Sequence, residues 1–323
     1  MLRFLVSRLI KGVLVLVAIA ILNFGLIRAA PGDPASVMAG EAGAADETFV
    51  QQLRVQFGLD RPMPEQLGRY LLGMAKLDLG YSYRQQRSVA SLIGDRLPAT
   101  LLLTGTAFVV SLGLGILLGA LAARNVGRLA DTAITVLALL FYATPLFWIA
   151  LMSQIVFSLK LGLVPNVGYE TIGAGYTGLT RILDILHHLI LPALTLGLFF
   201  MALYARMMRA SMLQISGADF VRTARAKGVA PGNVLRRHVM PNAILPIVTL
   251  AGLQAGQIVG GAILTETVFA WPGIGRLMFE ALAQRDYQLL LGVFFVSSAM
   301  VVLFNLLTDL VYHIADPRIE VAS

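Results

Sequence analysis

The 323 residues contain no cysteine, which excludes disulfides, thiol chemistry and any cysteine-held metal. Charge is also scarce: Asp, Glu, Lys and Arg make up 13% of the chain, against about 25% in a typical soluble domain. No P-loop, His-Glu-x-x-His or Gly-x-Ser-x-Gly pattern occurs, so the chain encodes no nucleotide-phosphate cradle, zinc-peptidase helix or nucleophile elbow. The adjacent His187 and His188 would point about 100° apart on a helix, a poor arrangement for holding a metal. Catalysis within this chain is not expected, and neither is a metal, a bound cofactor or a nucleic-acid partner.

What the chain does contain is apolar surface, with 57% hydrophobic residues and a mean hydropathy of +0.78. A hydrocarbon core about 30 Å thick needs about 20 mostly apolar residues per helix. Six segments meet that requirement, at 4–27, 100–123, 132–159, 189–208, 242–264 and 289–310. The first reads as an uncleaved anchor, because its apolar run is long and Arg28 interrupts the region where a signal peptide would be cut. The fold class is therefore all-α, a six-helix membrane bundle. Pro145, Pro192 and Pro246 are expected to kink their spans.

An even number of spans puts both termini on one side. That side holds 13 of the 25 Lys and Arg but only 4 of the 18 Asp and Glu; the opposite face holds 12 basic and 13 acidic residues, with Asp309 left inside the sixth span. Because basic residues in short loops mark the cytoplasmic side, both termini are expected there. The 30–98 segment is too long for a connector. With helical stripes at Leu67, Tyr70, Leu71 and Met74 and at Val89, Leu92 and Ile93, it reads as a helical cap on the outer face. Residues 160–188, rich in glycine, read as an irregular outer loop, and the 266–286 segment must turn tightly at Trp271-Pro272-Gly273. The divisions are 1–29 as the first span, 30–98 as the cap, 99–315 as the five-span core and 316–323 as a tail.

Within the spans, Gly252, Gly256 and Gly260 form a small-residue ridge, as do Gly115 and Gly119, and helix packing is the favoured reading of both. The Gln254 and Gln257 amides fit either a wet translocation path or hydrogen bonds to neighbouring helices. Asp309, with Asn305 one turn before it, is an intramembrane carboxylate near the end of its span, where a structural pairing or an interfacial position is favoured over a functional one.

The long cytoplasmic segment from 212 to 241 is basic and carries its own punctuation. Ser216 with Asp219 reads as an N-cap and capping-box acid, Gly228 as the closing glycine, Pro231 as the start of a second short helix and Pro241 as its stop. The first helix would run about 11 residues, roughly 16 Å. Basic residues alone would enforce topology, but a capped helix with an uncharged Phe220–Ala224 stripe calls for a protein partner.

This stretch resembles the docking motif of binding-protein-dependent ABC importer permeases, Glu-Ala-Ala, three residues, Gly, nine residues, Ile-x-Leu-Pro. Gly228 takes the glycine place and Pro241 the proline, His238 and Met240 stand at the Ile and Leu places, and Thr223 and Ala224 stand for the alanines. Arg222 stands where the motif has its glutamate. Further fragments look like the dipeptide/oligopeptide branch: Ala-Pro-Gly-Asp-Pro (30–34), Phe-Gly-Leu-Asp-Arg-Pro (57–62), Asp-Leu-Gly-Tyr-Ser (78–82), Arg-Leu-Pro-Ala-Thr (96–100), Leu-Pro-Ala-Leu-Thr-Leu (191–196), Glu-Thr-Val-Phe-Ala-Trp-Pro-Gly (266–273) and Asp-Pro-Arg (316–318).

The resemblance implies a type I importer architecture in a bacterial inner membrane. It further implies a second homologous permease, two cytoplasmic ATPases that bind ATP and Mg, and an extracytoplasmic solute-binding protein. On that pattern Phe220, Arg222, Thr223, Ala224, Lys227, Gly228 and Val229 dock the ATPase. Gln254 and Gln257 lie along the path, and Glu266, Phe269 and Trp271 form an outer gate or a binding-protein contact. The cargo expected is a short peptide, with nickel, glutathione or sugars as alternatives inside the family. Outside it stand an ion-coupled secondary carrier or channel, which would show more midplane charge, and an intramembrane hydrolase.

Overall fold

The computed structural model describes residues 2–29, 47–56 and 58–315. Its elements are helical apart from a two-residue hairpin, Tyr81–Ser82 paired antiparallel with Arg87–Ser88. Four helices are long and apolar enough to cross a membrane among the described residues, and a fifth candidate is a bent pair. Helix α1 is Leu2–Ala29, α4 is Val89–Arg124, α7 is Gly178–Ser216 and α13 is Tyr287–Ala315. Between α1 and the hairpin lie α2, Glu47–Gln56, and α3, Met63–Ala75. The 24-residue α11, Leu245–Val268, has the length for such a core as well.

The bent pair replaces the expected third span. Helix α5, Leu129–Ala143, and α6, Leu146–Ser153, are followed by a π-helical turn, Gln154–Lys160, and the two halves bend by 105°. Pro145 was expected to kink a continuous helix; it breaks one. Thr144 and Pro145 both adopt extended backbone, because a proline pushes its predecessor out of the helical region and supplies no amide to continue the ladder. Pro192, by contrast, is carried inside α7, and Pro246 falls at the start of α11, where no amide is needed.

The cap stripes form as expected, with one change. Met74 is buried on α3, but Val89, Leu92 and Ile93 belong to the first turns of the α4 rod instead of a separate cap helix. Likewise the expected 160–188 loop is shorter, because α7 already begins at Gly178 and, at about 1.5 Å per residue, runs roughly 58 Å. His187 and His188 ride on it, one ring facing the Leu163 carbonyl and the other the Asp184 carbonyl, so they do not converge on a metal.

The chain divides into two compact units, Met1–Pro98 with Gly273–Leu306, and Ala99–Pro272 with Leu307–Ser323. In the first, Phe24 of α1 stacks on Tyr70 of α3 with centroids 5.8 Å apart. The Ser82 hydroxyl donates to Asp286 Oδ2 at 2.5 Å, while Asp286 Oδ1 accepts the Leu289 amide and so caps α13. Helix α12, Ile274–Ala283, precedes that cap.

In the second unit, α4 and α7 meet at glycines. A Cβ on Gly115 would lie 2.4 Å from Tyr204 Cβ, and one on Gly119 would lie 2.5 Å from the Ala205 carbonyl oxygen. Gly252 of α11 similarly admits Thr308, whose hydroxyl donates to the Gly252 carbonyl at 3.1 Å. The small-residue reading thus holds for Gly115, Gly119 and Gly252, whereas Gly260 faces open space. Overpacking a fitted contact costs about 1–3 kcal/mol. Gly119→Val is therefore expected to lower the thermal unfolding midpoint of the detergent-solubilised protein, while Gly113→Ala, with nothing near its added carbon, leaves it unchanged. Equal midpoints for the two variants would contradict this packing.

Candidate functional site

Helix α8, Asp219–Ala226, forms where the docking segment is expected, eight residues and about 12 Å long instead of 11 residues. Its start differs from the expected one. Ser216 is the last residue of α7, whose final turn closes through Gly217 and Ala218 amides onto the Gln214 and Ile215 carbonyls. Ala218 then occupies the N-cap position with no side-chain cap, and Asp219 serves only as a first-turn acid facing the positive helix end. The end is as expected. Gly228 takes φ +77°, its amide donates to the Arg225 carbonyl at 2.9 Å, and the Val229 amide donates to the Ala224 carbonyl at 3.2 Å. Those two bonds define the Schellman closure.

The helix is held by one face. Val221 is fully buried and Ala224 nearly so, packed in a cluster with Met208 and Met212 of α7 and with Val234, Val239, Ala243 and Ile247. Val229 packs against the same cluster. Of the residues expected to dock a partner, Ala224 and Val229 therefore turn inward, and Val221 is the anchor that the sequence reading missed. Phe220 (45% exposed), Arg222, Thr223, Lys227 and Gly228 stand in the open. Phe220 and Ala224, one turn apart, share a face of the helix as expected, but Ala224 is buried beside Val221 while Phe220 stands at the open edge of that face. Arg222 lies 3.6 Å from Asp219, an exposed pair of little energetic weight.

Pro231 begins α9, Pro231–Val234, as expected, but Pro241 does not stop the helix. A π-helical stretch, Leu235–Val239, leads into α10, Met240–Ala243, and Pro241 sits in the first turn of that new segment, where its missing amide costs nothing. The Ser211 hydroxyl ties this return path to α7 by donating to the Ala243 carbonyl at 2.9 Å.

One ion pair near this region was not foreseen. Asp131, in the first turn of α5, accepts from Arg209 Nε at 2.6 Å and Nη2 at 2.8 Å, and also from the Gly127 amide at 3.1 Å. The two residues are 78 positions apart, and only the placement of an acid at a helix start beside a basic segment hints at the pairing.

Glu266, Phe269 and Trp271 lie in the core of the second unit, each at most 1% exposed. The Thr100 hydroxyl donates to Glu266 at 2.7 Å, Trp271 Nε1 donates to the Ala99 carbonyl at 2.8 Å, and the Trp271 ring meets Tyr169 edge-on at 4.8 Å. Phe269 packs with Ala150 and Leu191. The expectation of a binding-protein contact is thereby corrected for these three residues: buried side chains give a soluble protein nothing to touch. Gln254 is partly buried, and its Oε1 has no partner among the described residues; the side chains of Gln257 and Asp309 lie outside the described residues. A cleft of about 730 Å³ opens in the crook of the broken span, but its lining is almost wholly apolar, and the Thr144 and Ser153 hydroxyls there already bond to helix carbonyls. It does not suit a polar solute. Because the Trp271 indole bond is buried, Trp271→Phe is expected to cost about 1 kcal/mol of stability, read as a lower unfolding midpoint in detergent; an unshifted midpoint would deny the bond any weight.

Comparison with known proteins agrees with this geometry. The family model described as "binding-protein-dependent transport system inner membrane component" matches residues 115–321, and the model for the N-terminal part of such membrane components matches residues 1–104. The dipeptide transport system permease protein DppB of Escherichia coli is 38% identical over 339 aligned residues, covering 99% of each chain. A relative from Brucella ovis that bears a peptide-permease name is 40% identical over 99% of this chain and 100% of its own. Among solved structures, an inward-facing MetNI methionine ABC transporter superposes with a TM-score of 0.55 at 17% identity, over 70% of this chain and 96% of that one, a likeness of fold. In such systems ATP hydrolysis belongs to separate subunits, so the chain is a transporter subunit and not an enzyme. Together with its apolar helices, the match over most of its length places this chain in the family of multi-pass inner membrane permeases of binding-protein-dependent ABC transport systems.

Proposed function

We propose that this chain is one of two homologous permease subunits in an ATP-driven importer of short peptides, and that it forms half of the translocation path. Two cytoplasmic ATPases bind ATP and Mg, an extracytoplasmic binding protein delivers the solute, and this chain carries no cofactor of its own. The topology is six spans with both termini cytoplasmic: a first span over 1–29, an outer cap over 30–98, a five-span core over 99–315 and a tail over 316–323. The path residues remain the amides of Gln254 and Gln257, and the buried Glu266, Phe269 and Trp271 belong to closure of the outer mouth.

The observation that carries this reading is the docking helix. Its closure at Gly228 and its anchor at Val221 and Ala224 fix a short rod whose free face presents Phe220, Arg222, Thr223 and Lys227. Such a rod suits the transfer of a partner's movement to the bundle, since the side chains beneath it are those of α7 and of the 234–247 return path. The peptide cargo is supported by the near end-to-end similarity to DppB of Escherichia coli.

Two measurements test the proposal. The complex is purified with its binding protein, and the ligand that the binding protein carries is identified by mass spectrometry; peptides are expected, and a metal chelate or sugar would move the chain to another substrate class. The variant Gly228→Val places a side chain at a left-handed backbone, a strain of about 1–2 kcal/mol, with no steric obstacle nearby. It is expected to insert and assemble normally but to lose most peptide uptake per ATP hydrolysed. Normal coupling in this variant would remove the docking role.

A further inference from the structure

Arg206 lies within α7, ten residues before its end, on an apolar helix long enough to span a membrane. Its guanidinium sits over the ring of Tyr142, 4.8 Å from the centroid, and Tyr142 in turn stacks on Phe199 with centroids 6.0 Å apart and planes at 21°. Arg206 is exposed and Tyr142 is 48% exposed. Among the described residues no carboxylate and no carbonyl accepts from the guanidinium, so its N–H donors are unpaired; the nearby acid, Asp131, is already taken by Arg209.

Helices α5 and α7 run antiparallel, with Asp131 opposite Arg209 and Tyr142 opposite Phe199. Phe199 is seven residues from Arg206, about 10 Å along the axis. Arg206 and Tyr142 tilt towards each other, each along the N-terminal lean that helical side chains take, and so meet close to the break at Thr144–Pro145. A guanidinium seated on an aromatic face with its donor edge free is arranged for an anion, because the ring occupies its face and leaves the planar fork for a bidentate oxyanion.

We propose that Arg206, seated on Tyr142, is an oxyanion-binding point of the translocation path that takes the C-terminal carboxylate of the transported peptide. The proposal rests on the peptide-importer reading and names a recognition point for it. It assigns this chain a contact with the charged end of its cargo, close to the break in the third span.

The permease–ATPase complex, reconstituted in nanodiscs without the binding protein, is titrated with dialanine and with dialanine amide, and binding is followed by saturation-transfer NMR. Wild type is expected to bind the free acid at least ten-fold more tightly than the amide. Arg206→Gln should abolish that preference, Arg206→Lys should keep part of it, and Tyr142→Leu should weaken it while Tyr142→Phe does not. An acid preference that is absent in wild type, or unchanged in Arg206→Gln, overturns the proposal. If Arg206→Gln instead sheds co-purified anionic lipid with the peptide preference intact, the oxyanion is a lipid phosphate, and the proposal is again overturned. Loss of the second permease from the Arg206→Gln complex would assign the residue to that interface and overturn it too. Uptake of dialanine by the wild-type complex with its binding protein is the control. No uptake counts against the peptide reading itself, whereas uptake with an unaltered preference counts against Arg206 alone.

Discussion

Close approach of α4 and α7 at Gly115 and Gly119 is the contact on which the second unit depends. In lipid there is no hydrophobic force to press two helices together, so association rests on contact area and on backbones near enough to make it. The absence of two side chains lets Tyr204, Ala205 and Met208 sit directly on α4. Tyr204 and Met208 then continue into the cluster that holds Val221 and Ala224. One face of α7 thus packs the bundle, and its last turns carry the polar segment that follows. The same helix presents Arg209 to Asp131, so α5 is fastened to it by a charge-assisted fork as well as by packing.

Much of this was legible in the sequence because it depends on local chemistry. The closing glycine at 228 and the helix start at Pro231 follow from backbone preference alone, and the apolar lengths follow from the thickness of a bilayer. What was not legible depends on distant partners. Glu266 and Trp271 beside a Pro-Gly pair look like a surface turn, and only their bonds to Thr100 and Ala99, 166 and 172 positions away, place them inside. Pro145 announces a disturbance, but whether a helix bends around a proline or parts at it depends on what neighbouring helices leave room for. Ser216 is a good cap in isolation, but it is taken up as the last residue of α7, whose ladder is still being satisfied there. The Phe220–Ala224 stripe lies at the rim of the buried face, because the anchor is Val221, about 100° round the helix from Phe220.

On the proposed reading, movement delivered to α8 enters the bundle by two routes at one end of α7. The first is apolar, through Val221 and Ala224 to Met208 and Met212. The second begins at Arg209, where the fork to Asp131 joins α7 to the first half of the broken span. Because that span parts at Thr144–Pro145, its two halves need not move as one body, and Tyr142 lies next to the joint. A hinge of two extended residues between rigid helical segments concentrates backbone change in few dihedrals.

The closure at Gly228 has one more consequence. Its geometry is made by two main-chain hydrogen bonds and a positive φ, and no side chain of the exposed face takes part. The shape of the rod and the chemistry written on it are therefore encoded by different atoms. Arg222 can stand where the related motif carries an acid without disturbing the turn, so the identity of the docked partner can be rewritten on the surface while the joint that transmits its force stays the same.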